Sequence, residues 1–403
     1  MLYLEPPPDD PGRRRRRLLQ ASTAVLVGGT TAAFLAGKGW SPVVPGAARV
    51  ATGRSQPSPA PAAPVRRDWI LGSAFNDGYA ADLRQSMVQQ FNTFVPEYAL
   101  KMGALITADG RYDFALAERE LRFAETNHKA LMGHTLIWHR HLPANVNPQS
   151  DVTSLRQRFE THIPAVMTRW HPRIRLWDVV NEAIHVEDGR PDGMRRSPWL
   201  KAFGAGYVGH AFKLARASNP DPLLMYNDFG FWYDTPAQAR KRKALLRMLE
   251  RELAQGAKID VLGIQGHLDA SESRFSEKVF DSFLGRVEQL GLATLVTELD
   301  VRDDRVQGPY AVRDEAVAVH ARRFLDVTLA RGNCLGVIFW GLSDRHSWLQ
   351  EAFPRADKLA LRPLPFDAQT QAKPLWHSML RAMDSAPARS ARTVKLIEQC
   401  LAA

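Results

Sequence analysis

The chain has 403 residues, 45% of them hydrophobic and 24% charged, with two cysteines and a formal net charge of +10. That composition excludes a collagen-like, low-complexity or disulfide-framed chain and leaves room for one large α/β domain with additions. The charge does not point to nucleic acid: ten Lys/Arg stand against three Asp/Glu before Asp68, but 43 against 40 from there on. The body of the chain is nearly neutral, so no nucleic-acid partner is expected.

Residues 1–40 read as a signal peptide or anchor. Arg13 to Arg17 precede a weakly apolar stretch from Leu18 to Gly37, and Arg15-Arg16-Arg17-Leu18-Leu19 resembles the twin-arginine export pattern. About 20 residues would also span a bilayer, but Gly28, Gly29, Thr30 and Thr31 weaken a permanent anchor. The protein is therefore expected to be periplasmic or secreted, touching membrane only through this segment, or held at the inner membrane if the signal is not cleaved. Residues 41–67 are rich in Pro, Ala, Gly and Ser, a composition that cannot bury a core and reads as a disordered linker. Cys334 opens an apolar run and reads as a small core residue.

From Trp69 onward short apolar runs alternate with longer helix-patterned stretches, as in repeated βα units. The runs are Ile70 to Phe75, Phe91 to Val95, Ala130 to Leu136, Leu176 to Asn181, Leu223 to Asn227, Val261 to Gln265, Leu295 to Glu298 and Leu335 to Trp340. Between them, Val152 to Trp170, Trp199 to Ala217, Ala237 to Gln255 and Val312 to Arg331 carry apolar residues at three- and four-residue spacing. Eight such units predict a (β/α)8 barrel over residues 68–385, with the active site at the C-terminal rim of the strands. Residues 386–403 add a short helical extension, apolar at Val394, Leu396, Ile397 and Leu401, expected against the barrel bottom.

The end of each run is polar or aromatic: Asn76, Glu97, His134, Asn181 with Glu182, Asn227 with Asp228, Gln265 with His267, Glu298 with Asp300, and Trp340. Two of these groups are strand-end glutamates. A facing pair of carboxyl groups is the equipment for breaking a glycosidic bond, one to protonate the leaving oxygen and one to attack or to activate water. The alternative reading for a single strand-end glutamate is a helix cap or a surface ion pair. Trp138, Trp340 and Trp348 add flat apolar faces suited to the C–H face of a sugar. Glu298, His267 and Asp300 are spaced to form a hydrogen-bonded chain that keeps Glu298 ionised. Glu182, beside the uncharged Asn181 and facing a second carboxylate, has the surroundings of a general acid.

These residues together resemble glycoside hydrolase family 10, the endo-β-1,4-xylanase family. The segments that carry the likeness are Gly133-His134-Thr135-Leu136-Ile137-Trp138-His139, Trp177-Asp178-Val179-Val180-Asn181-Glu182, Tyr226-Asn227-Asp228, Gln265-Gly266-His267-Leu268, Thr297-Glu298-Leu299-Asp300 and Phe339-Trp340-Gly341-Leu342-Ser343-Asp344 with Ser347-Trp348. The tail from Leu364-Pro365-Phe366-Asp367 to Lys373-Pro374 is similar as well, so the likeness runs from Trp69 to Met383. It implies a retaining mechanism on a β-1,4-linked polysaccharide, with Glu182 as acid/base, Glu298 as nucleophile, and Asn181, His267 and Asp300 in support. It further implies that Glu97, Lys101, His134, Trp138, Asn227, Gln265, Trp340 and Trp348 bind sugar. No cofactor is implied, and a monomer is expected.

The chain departs from the family at two places. The family has Glu-Asn, one further residue, then Met-Lys-Trp after its second strand; here the segment is Glu97-Tyr98-Ala99-Leu100-Lys101-Met102. After the third strand, His141 stands where the family has Gln and Asn145 where it has Trp. The departures spare the catalytic pair and leave the substrate open. The alternatives are a hydrolase or transglycosylase of another β-glycan, such as a bacterial exopolysaccharide or β-glucan, and a non-catalytic glycan-binding barrel. His134, His139 and His141 lack a further ligand at matching spacing, so no metal is expected.

Overall fold

The structure is a computed structural model that describes residues 68–144, 146 and 149–402. The expected signal and linker, together with Asn145, lie outside the described residues. Nine strands are described: Ile70–Phe75 (β1), Thr93–Pro96 (β2), Ala130–Gly133 (β3), Leu176–Asn181 (β4), Leu223–Asp228 (β5), Val261–Ile264 (β6), His267–Asp269 (β7), Ala293–Arg302 (β8) and Cys334–Phe339 (β9). They pair in the order β6-β5-β4-β3-β2-β1-β9-β8-β7, and a further β6–β8 pairing closes the ring. Both β6 and β7 lie parallel along β8, Val261 opposite Ala293 and His267 opposite Asp300. They act as one interrupted stave, so the barrel has the eight staves that the βα count predicts. The interruption is at Gly266, whose φ of +77° is open to glycine and strained for other residues.

The helices Ala81–Gln90 (α1), Ala115–Thr126 (α2), Val152–Arg169 (α3), Tyr207–Ser218 (α4), Pro236–Ala254 (α5), Glu277–Gln289 (α6), Tyr310–Leu329 (α7) and Pro374–Ser385 (α8) follow the staves in turn. Side-chain caps fix several starts: Asp151 accepts from the Ser154 N–H, Thr235 from Gln238 and Ser276 from Val279. The helix expected from Trp199 to Ala217 is two pieces, Pro198–Phe203 and α4, separated by a 3-10 turn over Gly204–Gly206. β8 is longer than its apolar run suggests. Thr297, Glu298 and Asp300 are buried polar residues inside the strand, and a reading by hydrophobicity stops among them, at Glu298. β3 is shorter than expected: past Gly133 the chain leaves the regular ladder, although Leu136 and Ile137 still donate to Asp178 O and Val179 O of β4 and an isolated bridge joins Ile137 to Val180.

Two apolar layers hold this arrangement. One lies between strands and helices and includes the fully buried Trp170, Trp177, Trp199 and Trp232. The other fills the barrel interior with residues such as Ile70, Val95, Met132, Leu176, Val261 and Leu335. A last helix, Ala391–Leu401 (α9), adds Ile397 and Cys400 to the interior layer. Its polar groups reach the segments that precede strands: Arg392 donates to Gly291 O, Thr393 to Gly332 O and Gln399 to Asp221 O. The helix therefore plugs the N-terminal mouth, opposite the rim where the glutamates sit. Both cysteines are buried free thiols, and burial pushes the Cys400 thiol up to about 12. No helix among the described residues is long and apolar enough to cross a membrane.

Candidate active site

β8 delivers Glu298 to the rim, and its two oxygens have different partners. The Asn227 amide donates to Oε1 at 2.8 Å, while His267 Nε2 stands 3.3 Å from Oε2. The chain continues outward: His267 Nδ1 lies 2.9 Å from Asp300 Oδ1, and the Trp348 indole N–H donates to Asp300 Oδ2 at 2.8 Å. Burial alone would strip the proton from His267, but the charges and hydrogen bonds of Asp300 and then Glu298 outweigh it and push its pKa up to about 10. Burial likewise pushes the Glu298 carboxyl up. The His267 hydrogen bond, the fields of His134 and His267 and the Asn227 amide overcome it and hold the group below the usual glutamate range. Glu298 is therefore a buried, oriented carboxylate at neutral pH.

Glu182 follows β4 directly and sits at φ +59°, the left-handed region that a residue with a Cβ adopts at a cost of about 1 kcal/mol or more. Several contacts enforce that turn. Its N–H donates to Asn227 O at 2.9 Å, its carbonyl accepts from Arg195 Nε at 2.8 Å, and its Oε1 accepts from the Gln265 amide at 3.1 Å. The same Gln265 nitrogen donates to Asn181 Oδ1 at 3.1 Å. His139 Nδ1 and an Arg195 nitrogen stand 3.9 and 4.0 Å from Oε2. The loop beyond Glu182 is anchored from below, since Asp228 accepts from the Tyr226 hydroxyl and the Ile184 N–H and pairs with the buried Lys241 at 2.7 Å.

Asn227 and Gln265 bind the two glutamates into one unit. Asn227 accepts from Glu182 with its backbone and donates to Glu298 with its side chain; Gln265 accepts the Glu298 N–H at 2.9 Å and donates to Glu182 with its side chain. The family resemblance implies that both residues bind sugar; the structure shows them holding the glutamates. Asn227 is fully buried, its Oδ1 takes the Thr297 hydroxyl at 2.7 Å, and a Cβ on Gly263 would stand 2.4 Å from that oxygen. Its side chain positions Glu298.

The other expected residues line the rim. Trp340 is edge-on to His134 at 5.3 Å, and Trp348 edge-on to His267 at 5.3 Å. Lys101 Nζ lies 4.8 Å over the Trp138 ring, and the Asn76 amide donates to Glu97 at 3.3 Å. His134 is buried with Nδ1 2.9 Å from Asp178. Of the departures from the family pattern, Met102 is a core residue, whereas Tyr98 and His141 meet each other. Tyr98 is edge-on to His141 at 5.6 Å, and His141 stacks on Trp138 at 5.2 Å and 21°.

Sequence reasoning missed three groups around Glu182 and His134. Asp178 faces His134 from inside the barrel, and burial pushes its carboxyl up to about 6 against the pull of His134. An acid within an otherwise apolar strand is a signal that could have found it. Arg195 and His139 come from loops, and no spacing in the sequence announces that they approach Glu182.

An eight-stave parallel barrel whose C-terminal rim carries two buried glutamates, one held ionised and both braced by amides, defines a glycoside hydrolase. Residues 66–382 match the profile of glycosyl hydrolase family 10, and the chain belongs to that family. Similar proteins include a thermostable celloxylanase of Thermoclostridium stercorarium, 31% identical over 341 residues that span 78% of this chain and 85% of that protein. Endo-1,4-beta-xylanase 3 of Hypocrea jecorina is 32% identical over 285 residues, spanning 71% and 73%. Among solved structures, native xylanase 10B from Thermotoga maritima has a TM-score of 0.71 at 27% identity, covering 79% of this chain and 95% of that one. Xylanase 10B from Thermotoga petrophila in complex with xylobiose matches with the same score and identity, covering 79% and 94%.

Proposed function

We propose that this protein is an exported endo-β-1,4-glycanase that hydrolyses xylan-type polysaccharide with retention of configuration. In the first step Glu298 attacks the anomeric carbon while Glu182 gives its proton to the leaving oxygen, and a glycosyl ester forms on Glu298. In the second, the Glu182 carboxylate takes a proton from water as the water displaces Glu298, restoring both groups. The single observation that carries this reading is the Asn227 and Gln265 brace, which fixes both carboxyl groups relative to one another while His267 holds Glu298 ionised. The names of the relatives support xylan as the polymer, and the Arg15-Arg16 segment supports export.

The test is product analysis on defined xylo-oligosaccharides, with proton NMR of the first anomer released. The β-anomer should appear first, and Glu298→Ala should lose more than about a thousandfold in kcat while still binding the polymer. Release of the α-anomer would refute the double displacement, and a wild type as inert as the variant would favour a glycan-binding barrel. A second reading, hydrolysis of a different β-glycan, is favoured by the Tyr98–His141–Trp138 stack. Faster release of reducing ends from a β-glucan or exopolysaccharide than from xylan would establish it. A reporter fused after Pro64 that stayed in the cytoplasm would defeat the export reading.

A further inference from the structure

The loop that leaves Glu182 builds a second recess that the double displacement does not use. A cavity of about 340 Å³ is lined by Arg190, Arg196, Ser197, Pro198, Leu200 and Lys201, three cations and no carboxylate. The loop is rigid rather than loose. Ile184 and Met194 pair as an antiparallel bridge, His185 N donates to Gly193 O at 2.9 Å, and Arg195 N donates to Ala183 O at 2.7 Å. Asp192 holds Arg190 with two hydrogen bonds of 3.0 and 2.7 Å, so that cation is fixed and locally neutralised. Asp188 accepts from the Arg196 backbone N–H at 2.5 Å and gives its carbonyl to Nε at 3.4 Å, which aims an exposed guanidinium without burying it. Lys201, also in the lining, donates to Ser150 O at 3.0 Å and adds a further cation.

The position of the recess is set by its neighbours. Arg195, next to Arg196, holds the Glu182 carbonyl, and Trp199, next to Pro198, donates to Trp138 O at 2.7 Å. The cavity therefore belongs to the same rim as the acid and the Trp138 loop. Cations in a recess with apolar Pro198 and Leu200 walls suit a sugar ring that carries a carboxylate, with the ring on the apolar part and the charge on Arg196 and Lys201.

We propose that this recess is a subsite for the carboxylate of an acidic branch on the polysaccharide, so that the enzyme favours uronic-acid-bearing chains. The proposal rests on the hydrolase reading, and the test separates the two. Initial rates are compared on glucuronoxylan and on the same polymer after chemical reduction of its carboxyl groups, for wild type and for Arg196→Gln with Lys201→Gln. Wild type should favour the charged polymer by about three- to tenfold at low salt, as expected for two partly exposed charge contacts. The preference should vanish in the double variant and fade in high salt, while the rate on the reduced polymer stays unchanged. Equal wild-type rates on both polymers, or a preference that survives the double substitution, would overturn the proposal. Affinity electrophoresis in gels cast with either polymer reads the same discrimination as retardation without turnover. If neither polymer were cleaved, the hydrolase reading would fall; retardation by the charged polymer that the double variant loses would uphold the subsite, and its absence would refute it.

Discussion

Replacing His267 by Gln isolates the charge in the Glu298–His267–Asp300 chain, because the amide keeps a polar side chain in place and removes the cation. Two unit charges separated by the 3.3 Å between His267 Nε2 and Glu298 Oε2 interact by about 5 kcal/mol at an effective dielectric of about 20, a gross ceiling before the partners relax. Burial is the largest influence on Glu298 and pushes its carboxyl up; His267 is the first of the groups opposing it. With the cation gone, burial is answered only by His134 and Asn227, and the Glu298 pKa must rise. Glu298 attacks only when ionised, so the acid limb of the kcat/KM profile should move to higher pH, by about one to three pH units for loss of an adjacent opposite charge. The loss of activity should therefore be steep at acid pH and shallow on the alkaline side. The assay is kcat/KM against pH on an aryl xylobioside, with thermal unfolding of the variant as the folding control. A uniform fall in kcat with the acid limb unmoved would refute the electrostatic argument and leave His267 as a spacer.

The same geometry sets three further outcomes. Ile397→Ala should destabilise the fold by about 2–5 kcal/mol in a denaturant titration, because it empties part of the barrel interior; kcat/KM should not change, since α9 plugs the mouth opposite the glutamates. Glu120 is 2% exposed and burial raises its carboxyl from 4.5 to about 8. The folded chain thus keeps a proton that the unfolded chain releases, so this contribution to stability is full below pH 4.5 and is lost as pH rises through 8. Glu120→Gln should flatten that decline, worth on the order of 5 kcal/mol at the alkaline end, in urea midpoints compared across the window; an unchanged slope would mean that Glu120 is ionised in the fold. Finally, Tyr98→Asn combined with His141→Gln should uncover Trp138 and raise kcat/KM on xylo-oligosaccharides by about three- to tenfold, the scale of one or two new hydrogen bonds. A fall on every chain length would show that the ring stack itself holds sugar.

The order of residues by itself determined the barrel and pointed to the two glutamates at its rim. Buried parallel strands must be apolar on both faces, so Leu176 to Asn181 announces β4, and the polar group that ends such a run falls at the rim, which is where Glu182 and Glu298 lie. The spacing of His267 and Asp300 foretold the chain that the structure shows, because β7 runs parallel along β8 with His267 opposite Asp300. Only the tertiary structure decided which way the remaining polar side chains face. Asn227 and Gln265 turn inward to brace the glutamates, through contacts spanning 71 and 83 residues of sequence. Arg195 and His139 reach Glu182 from loops whose course the strands alone do not dictate. Ile397 and Cys400 close the barrel floor only because the eight staves first close around the space they fill. Hydrophobic period is written locally along the chain, whereas the partner of a buried polar group depends on which distant strands become neighbours.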